Sequence, residues 1–351
     1  MRLELQPISG VKQLAAWHPL VELLALFNGS CALDDLEWDD GEMLASYVED
    51  MDPHARADYE AEPAAGIREA KDLFITGMLE LIRDRQAALG AASPFHLPND
   101  GTTLLIRKPV EEVTEASIAY SWMVLFWAIS SKTDYLIITK QDRTAFTTDF
   151  AKVFEWICCL IMVARSPASV WYFGDSRDVR EFLRRLERMV LVAGTGRVKG
   201  FAQLQANQVG ANDGGVDILA IQTRQGAVPR DATAYLVGAT IQQSDRRAKI
   251  MGGGSIARFL EFFERGPNFA FHGVLAVPFE ASDIDQLNCN LNNCIYLSKA
   301  ELISILGQYP QDIRQRLNVG TARRKIRQRS REISNTTILV GKAGDLRLQW
   351  A

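Results

Sequence analysis

One acidic residue inside an apolar run restricts this chain more than any other feature. In Asn212-Asp213-Gly214-Gly215-Val216-Asp217-Ile218-Leu219-Ala220, two glycines allow a sharp turn. Asp217 then stands among Val216, Ile218 and Leu219. The β-branched residues and loose alternation over 216–221 predict a strand. A carboxylate there is costly unless it meets a cation or a hydrogen-bond donor. Two roles satisfy that condition. Asp217 is either a metal ligand fixed on a rigid strand or a turn aspartate that caps a hairpin. The first role suits phosphodiester hydrolysis, in which Mg²⁺ polarises the phosphate and activates the attacking water.

The segment Gln225-Gly226-Ala227-Val228-Pro229-Arg230 reads as a turn, and 235–241 as a second strand, so the two strands form a hairpin. Alternation puts Gly238, Thr240 and Gln242 on one face and Val237, Ala239 and Ile241 on the other. A site facing Asp217 is then lined by Thr240 and Gln242. Lys249 follows Arg246 and Arg247 on the next turn or helix. Either these three reach back over a phosphate or they form a solvated helix start.

The rest of the chain reads as α+β, with a mostly helical N-terminal domain over 1–145 and an α/β domain over 146–351. Helical spacing is clearest over 64–89, where Ile67, Leu73, Met78, Leu81 and Ile82 share a face. Residues 20–27 and 115–129 are apolar helical stretches, and 34–50 is acidic with helical spacing. Residues 104–106 read as a short strand or the start of a helix. In the second domain, helices are expected over 146–164 and 178–191. The latter is basic and amphipathic, with Arg177, Arg180, Arg184, Arg185 and Arg188 set against Phe182, Leu183, Leu186 and Met189. After the break at Gly252-Gly253-Gly254 come a helix over 255–264, a strand over 273–278 and a helix over 299–306.

Charge is unevenly spread. Residues 1–62 hold fourteen acids against Arg2, Lys12 and Arg56, a net of −11, so the remainder of a chain of net −4 carries +7. Between 311 and 331 lie Arg314, Arg316, Arg323, Arg324, Lys325, Arg327, Arg329 and Arg331 against Asp312 alone. Such a run suits phosphate contacts, or a basic helix that pairs with the acidic head or a partner subunit. Its lack of aromatic residues argues against stacking on single-stranded bases. The five cysteines are too scattered for a disulfide framework. Cys289 and Cys294 lie near zinc-ligand spacing, but no second pair or nearby histidine completes a site. The best candidate for a membrane span, 120–129, is too short for one. The first residues lack the pattern of a signal peptide, so a cytoplasmic location is expected.

Gly214-Gly215-Val216-Asp217-Ile218, followed by a strand ending in Gln242 with Lys249 beyond it, resembles the PD-(D/E)xK, or restriction-endonuclease-like, superfamily. The similarity is greatest to the branch of bacterial defence and restriction systems. There a Gly-Gly-x-Asp segment precedes a strand with Gln in place of Glu, and the lysine has moved onto the following helix. Phe154-Glu155 resembles the Phe-Glu pair of that branch's first core helix. The segments 273–279 and 294–302 resemble its closing strand and helix. The resemblance implies a Mg²⁺- or Mn²⁺-dependent endonuclease acting on DNA, with Asp217 and Glu155 as metal ligands. It implies that Gln242 orients metal or water and that Lys249 stabilises the phosphate. Arg246, Arg247, Arg323, Arg324, Lys325 and Arg327 are the candidates for nucleic-acid contact. The chain departs from the pattern at the second motif. A strict alignment puts Ala239 or Thr240 at the ligand position and Ile241 or Gln242 at the lysine position. That departure also fits an inactive nuclease-fold subunit that binds nucleic acid or a partner protein.

Overall fold

In the computed structural model the chain is α+β, with a helix-rich N-terminal region. The structure describes residues 2–3 and 14–308, apart from 50, 99–100, 107–113, 131–135, 138–139, 166–168, 175, 177, 210–214, 223–231, 243–245 and 281–282. The basic run over 311–331 lies outside the described residues. Two compact units meet in sequence between Thr147 and Thr148.

In the first unit, β1 (Arg2–Leu3) pairs antiparallel with β5 (Leu136–Ile137). The helices are α1 (Leu14–Asn28), α2 (Asp40–Val48), α3 (Pro53–Ala61), α4 (Pro63–Leu89) and α5 (Glu115–Ser130). A small antiparallel sheet, in the order β2 (Ser30–Ala32), β4 (Thr103–Ile106), β3 (Phe95–His96), joins them. The acidic segment folds because its apolar residues are the buried ones. Leu33, Leu36, Met43 and Val48 are inside, while Asp34, Asp35, Glu37, Asp40 and Glu42 stay exposed. A buried polar network ties α1, α4 and α5 together. Tyr120 donates to Glu22 Oε1, Arg85 donates to the Tyr120 hydroxyl at 2.9 Å, and His18 Nε2 lies 3.4 Å from Glu22 Oε1. His18 is thus a core residue.

Helix α6 (Lys140–Arg165) leads into the second unit. There follow β6 (Ser169–Tyr172), α7 (Val179–Ala193), β7 (Arg197–Val198) and α8 (Ala206–Val209). Next come β8 (Ile218–Gln222), β9 (Thr233–Ala239), α9 (Arg246–Lys249) and α10 (Gly253–Leu260). The last elements are β10 (Phe263–Arg265), β11 (Ala270–Ala276), α11 (Asp283–Leu291), β12 (Cys294–Leu297) and α12 (Lys299–Gln308). The central sheet has the order β12-β11-β9-β8-β6. Strands β9, β11 and β12 run parallel, and β8 is antiparallel to both β9 and β6. The expected helix over 255–264 is shorter. It stops at Leu260, and Phe263–Arg265 pairs with β7 instead.

Helix α7 forms where its period demands. Phe182, Leu183, Leu186 and Met189 are buried in one core with Leu219, Leu236, Phe259, Phe262 and Leu275. Its start is fixed by Asp178, whose carboxylate accepts from the Glu181 N–H at 2.9 Å. Its end is fixed by Gly194 in the left-handed region. Asp178→Ala should therefore lower stability by about 1 kcal/mol, read by chemical denaturation, and Asp178→Ser should restore most of it. An unchanged Asp178→Ala protein would remove the cap from this account.

Candidate functional site

The start of β8 and the ends of the parallel strands lie at one edge of the sheet, because Ile218 pairs with Val237 and Val237 with Val274. Asp217 precedes that first pair. Its own backbone is fully engaged. Its N–H donates to Val237 O at 3.1 Å, and its carbonyl accepts from Phe173 N at 2.8 Å and Gly174 N at 3.3 Å. Gly215, two residues earlier, has φ +77, where a side chain would be strained. The glycine-rich approach is thus part of how the aspartate is delivered.

The Asp217 side chain is 3% exposed. Its charge is matched on both oxygens. Lys249 Nζ lies 2.8 Å from Oδ1 and 2.9 Å from Oδ2, and the Ala239 N–H donates to Oδ2 at 2.8 Å. Charge-assisted bonds of this length are what a buried carboxylate requires. Lys249 is 29% exposed, so one side of the ammonium faces water.

Lys249 is brought there by two glycines of the sheet. A Cβ on Gly238 would stand 2.4 Å from Lys249 O, and one on Gly273 only 1.6 Å from Met251 O. The backbone of 249–251 therefore rests directly on β9 and β11, where any larger residue would hold it off. Neither position that the strict pattern would give to a second ligand offers a carboxylate. Ala239 reaches Asp217 through its N–H alone, and Thr240 is engaged in a local turn. The Thr240 hydroxyl accepts from Gln242 N at 3.2 Å and donates to Gln242 O at 3.3 Å. That turn ends β9 at Ala239, so the strand does not carry Gln242 onto the site face. Gln242 is exposed, and no described hydrogen bond joins its side chain to Asp217 or Lys249.

Glu155 of α6 forms the other wall. Its Oε2 accepts from the Tyr172 hydroxyl at 2.5 Å. A Cβ on Gly174 would stand 2.6 Å from the same oxygen, so the carboxylate lies on the turn bonded to Asp217. Cys158, one turn further along α6, senses both acids. Burial pushes its thiol well above the ordinary value, and Cys159, Glu155 and Asp217 add to the rise. Tyr172 is held in turn by Arg185 of α7, which donates to the Tyr172 carbonyl at 2.8 Å and pairs with Glu181.

No family model matches this chain, and no curated protein matches it. Among solved structures it is similar to the MspJI restriction endonuclease in complex with a 27-mer oligonucleotide. That similarity covers 65% of this chain and 39% of the other, at 12% identity and a TM-score of 0.27. It is also similar to protein VC1899 from Vibrio cholerae, over 87% of this chain and 97% of that one, at 8% identity and a TM-score of 0.17. At such values the function has to be read from the site itself.

The other basic candidates at this edge differ in their surroundings. Arg246 is buried, its guanidinium paired with Asp285 and 4.7 Å from the centre of the Phe279 ring. Its place is structural, with its charge already matched. Arg247 is exposed. Arg323, Arg324, Lys325 and Arg327 lie outside the described residues. Lys299, the first residue of α12, is buried against Glu280 at 2.6 Å. The site residues absent from the sequence reading are Tyr172 and Gly174. Tyr172 lies seventeen residues from Glu155, and the pairing of β6 with β8 brings its strand beside Asp217.

The donor set bears on a metal ion. Among the described residues, no group of three or more His, Cys, Asp or Glu side chains is placed to hold one. Two carboxylates, Asp217 and Glu155, flank the same turn. Such a pair suits Mg²⁺ or Mn²⁺, which keep several waters and take further oxygens from a bound phosphate. It does not suit zinc, which favours nitrogen and sulfur ligands. Cys289 and Cys294 are both buried and free, and the Cys294 thiol donates to the Ile295 carbonyl at 3.7 Å. Among the described residues no helix is long and apolar enough to cross a membrane.

Proposed function

We propose that the second unit is a metal-dependent endonuclease acting on DNA, with Asp217, Glu155 and Lys249 at its centre. One observation carries this reading. A buried strand-end aspartate is fixed by the Ala239 N–H and faces a half-exposed lysine, with a second carboxylate on the adjoining turn. Asp217 and Glu155 would hold Mg²⁺ or Mn²⁺, which would polarise the phosphate and activate water. Asp217 contributes a charge whose direction is set by the sheet and requires no rearrangement. Lys249 presents its open side to an entering phosphate and offsets negative charge that develops on the phosphoryl oxygens. Tyr172 orients Glu155 through its hydroxyl. Gln242, on the exposed turn, makes its contribution by contact with substrate rather than with Asp217.

A second reading has its own support. Lys249 already neutralises both oxygens of Asp217, and the second-motif face of β9 is filled by backbone. Both features fit a nuclease-derived subunit that binds nucleic acid or a partner protein without cutting. Incubation of plasmid DNA, single-stranded DNA and RNA with Mg²⁺ or Mn²⁺ separates the two. The endonuclease reading expects metal-dependent cutting of DNA that falls by about 100-fold or more in Asp217→Ala and in Lys249→Ala. Cutting that persists in Asp217→Ala belongs to a contaminant and sinks it. Binding without cutting under every condition favours the second reading.

A further inference from the structure

The outward face of α7 carries a row of arginines whose charges no acid neutralises among the described residues. Arg180, Arg184 and Arg188 recur every fourth residue, so they lie on one side of the helix, and all three are exposed. None is ion-paired among the described residues, whereas Arg185, on the flank, is paired with Glu181. The first two are partly held in place. The Arg180 guanidinium lies 4.4 Å from the centre of the exposed Phe201 ring, and Arg184 Nε donates to Arg180 O. Glu187 is the one acid on this face, and the exposed Leu191 closes it.

We infer that this ridge is a binding surface for the sugar–phosphate backbone of a nucleic acid. From Arg180 to Arg188 the helix rises about 12 Å. That span corresponds to roughly three to four nucleotide steps along one strand of a duplex, so successive arginines stand nearly two steps apart. Guanidinium groups grip phosphate through paired N–H donors, so arginine rather than lysine suits such a track. The placement is also right. α7 begins a few residues after the turn that binds Asp217, and Arg185 ties the helix to Tyr172. A strand lying across the Asp217 edge can therefore continue along α7. The contacts are to backbone, so the ridge adds affinity and direction but little sequence preference. The choice of a nucleic acid over other polyanions rests on the phosphodiester reading of the Asp217 edge.

The test is binding of full-length protein to labelled duplex DNA across a series of KCl concentrations. Each phosphate contact contributes about 0.9 to the slope of log affinity against log salt. The triple variant Arg180→Gln/Arg184→Gln/Arg188→Gln should weaken binding and flatten that slope by about 2 to 3. Glu187→Gln should act in the opposite sense and tighten binding, because it removes the acid among them. All four positions are exposed, and unchanged circular dichroism verifies the fold. A slope that is the same in wild type and triple variant overturns the ridge but leaves the Asp217 reading intact, since cutting is measured separately. Wild type that binds no nucleic acid overturns it as well. So does a triple variant that keeps its DNA affinity but loses affinity for labelled polyglutamate, which would make the face a protein-docking surface.

Discussion

Gly273→Ala should open the second unit while leaving the first folded. The new methyl would stand 1.6 Å from Met251 O, 2.5 Å from Met251 C and 2.8 Å from Met251 Cβ. Two of these atoms are backbone, and Met251 is 1% exposed, so no side chain can swing aside to make room. The segment 249–251 must lift from the sheet, or β11 must bend away from it. Overpacking usually costs about 1–3 kcal/mol, and a backbone obstacle in mid-core places this case at or beyond the upper end. The lifted segment also carries Lys249 away from Asp217, so the loss includes part of the buried ion pair. Hydrogen–deuterium exchange of peptides from β9, β11 and β12 is the fitting measurement, because it reads the second unit alone. Faster exchange there, with α4 and α5 unchanged, is the expected pattern. Gly238→Ala should act in the same direction, since its methyl would meet Lys249 O at 2.4 Å. Protection in β9 and β11 equal to wild type in both variants would mean that the segment is not clamped as described.

Those two glycines mark where sequence reasoning stopped. Helix α7 and the strand after Asp217 were legible because each has a period that local sequence can express. Asp217 was legible because a carboxylate in an apolar run needs a partner. Its partner was harder to find. Lys249 was expected either over a phosphate or on a solvated helix start, and its pairing with the Asp217 carboxylate was not anticipated, because it depends on the glycines that let the chain fold back onto β9. Gln242 was expected on the site face by extending that alternation past Ala239. The Thr240 hydroxyl ends the strand there instead, a piece of turn chemistry that competes with the ladder. Arg246 illustrates the same limit for charge. Its sequence neighbours are basic, but Asp285, from α11, supplies its counter-ion. α11 was not anticipated, and of the small β2-β4-β3 sheet only β4 was foreseen, as a short strand or the start of a helix over 104–106. The sheet depends on pairings such as Ser30 with Leu105, which only the assembled fold brings together.

Removing Lys249 should cost more stability than neutralising Asp217, although the two form one ion pair. The asymmetry follows from burial. The Asp217 side chain is 3% exposed and the Lys249 side chain 29%. In Lys249→Met the carboxylate stays inside the protein and loses the charge that offsets its desolvation. Breaking a buried pair in this way costs about 3–5 kcal/mol, and the partial exposure of Lys249 puts the expected loss near the lower figure. In Asp217→Asn the amide oxygen still accepts from the Ala239 N–H, while the ammonium turns toward water. A loss of about 1 kcal/mol is expected there. The decisive comparison is the double variant. Once Asp217 is neutral, Lys249→Met no longer strands a charge, so Asp217→Asn/Lys249→Met should be more stable than Lys249→Met alone. Equal losses in the two single variants, or a double variant less stable than either, would show that the pair is not the buried electrostatic unit described. The same variants bear on the metal. If Asp217 and Glu155 accept Mg²⁺ or Mn²⁺, the ion replaces the missing positive charge, so added metal should raise the melting temperature of Lys249→Met more than that of wild type. In Asp217→Asn/Lys249→Met that extra rise should vanish. A rise equal in all three proteins would place metal binding away from Asp217 and would leave Lys249 as the only cation this carboxylate was built to hold.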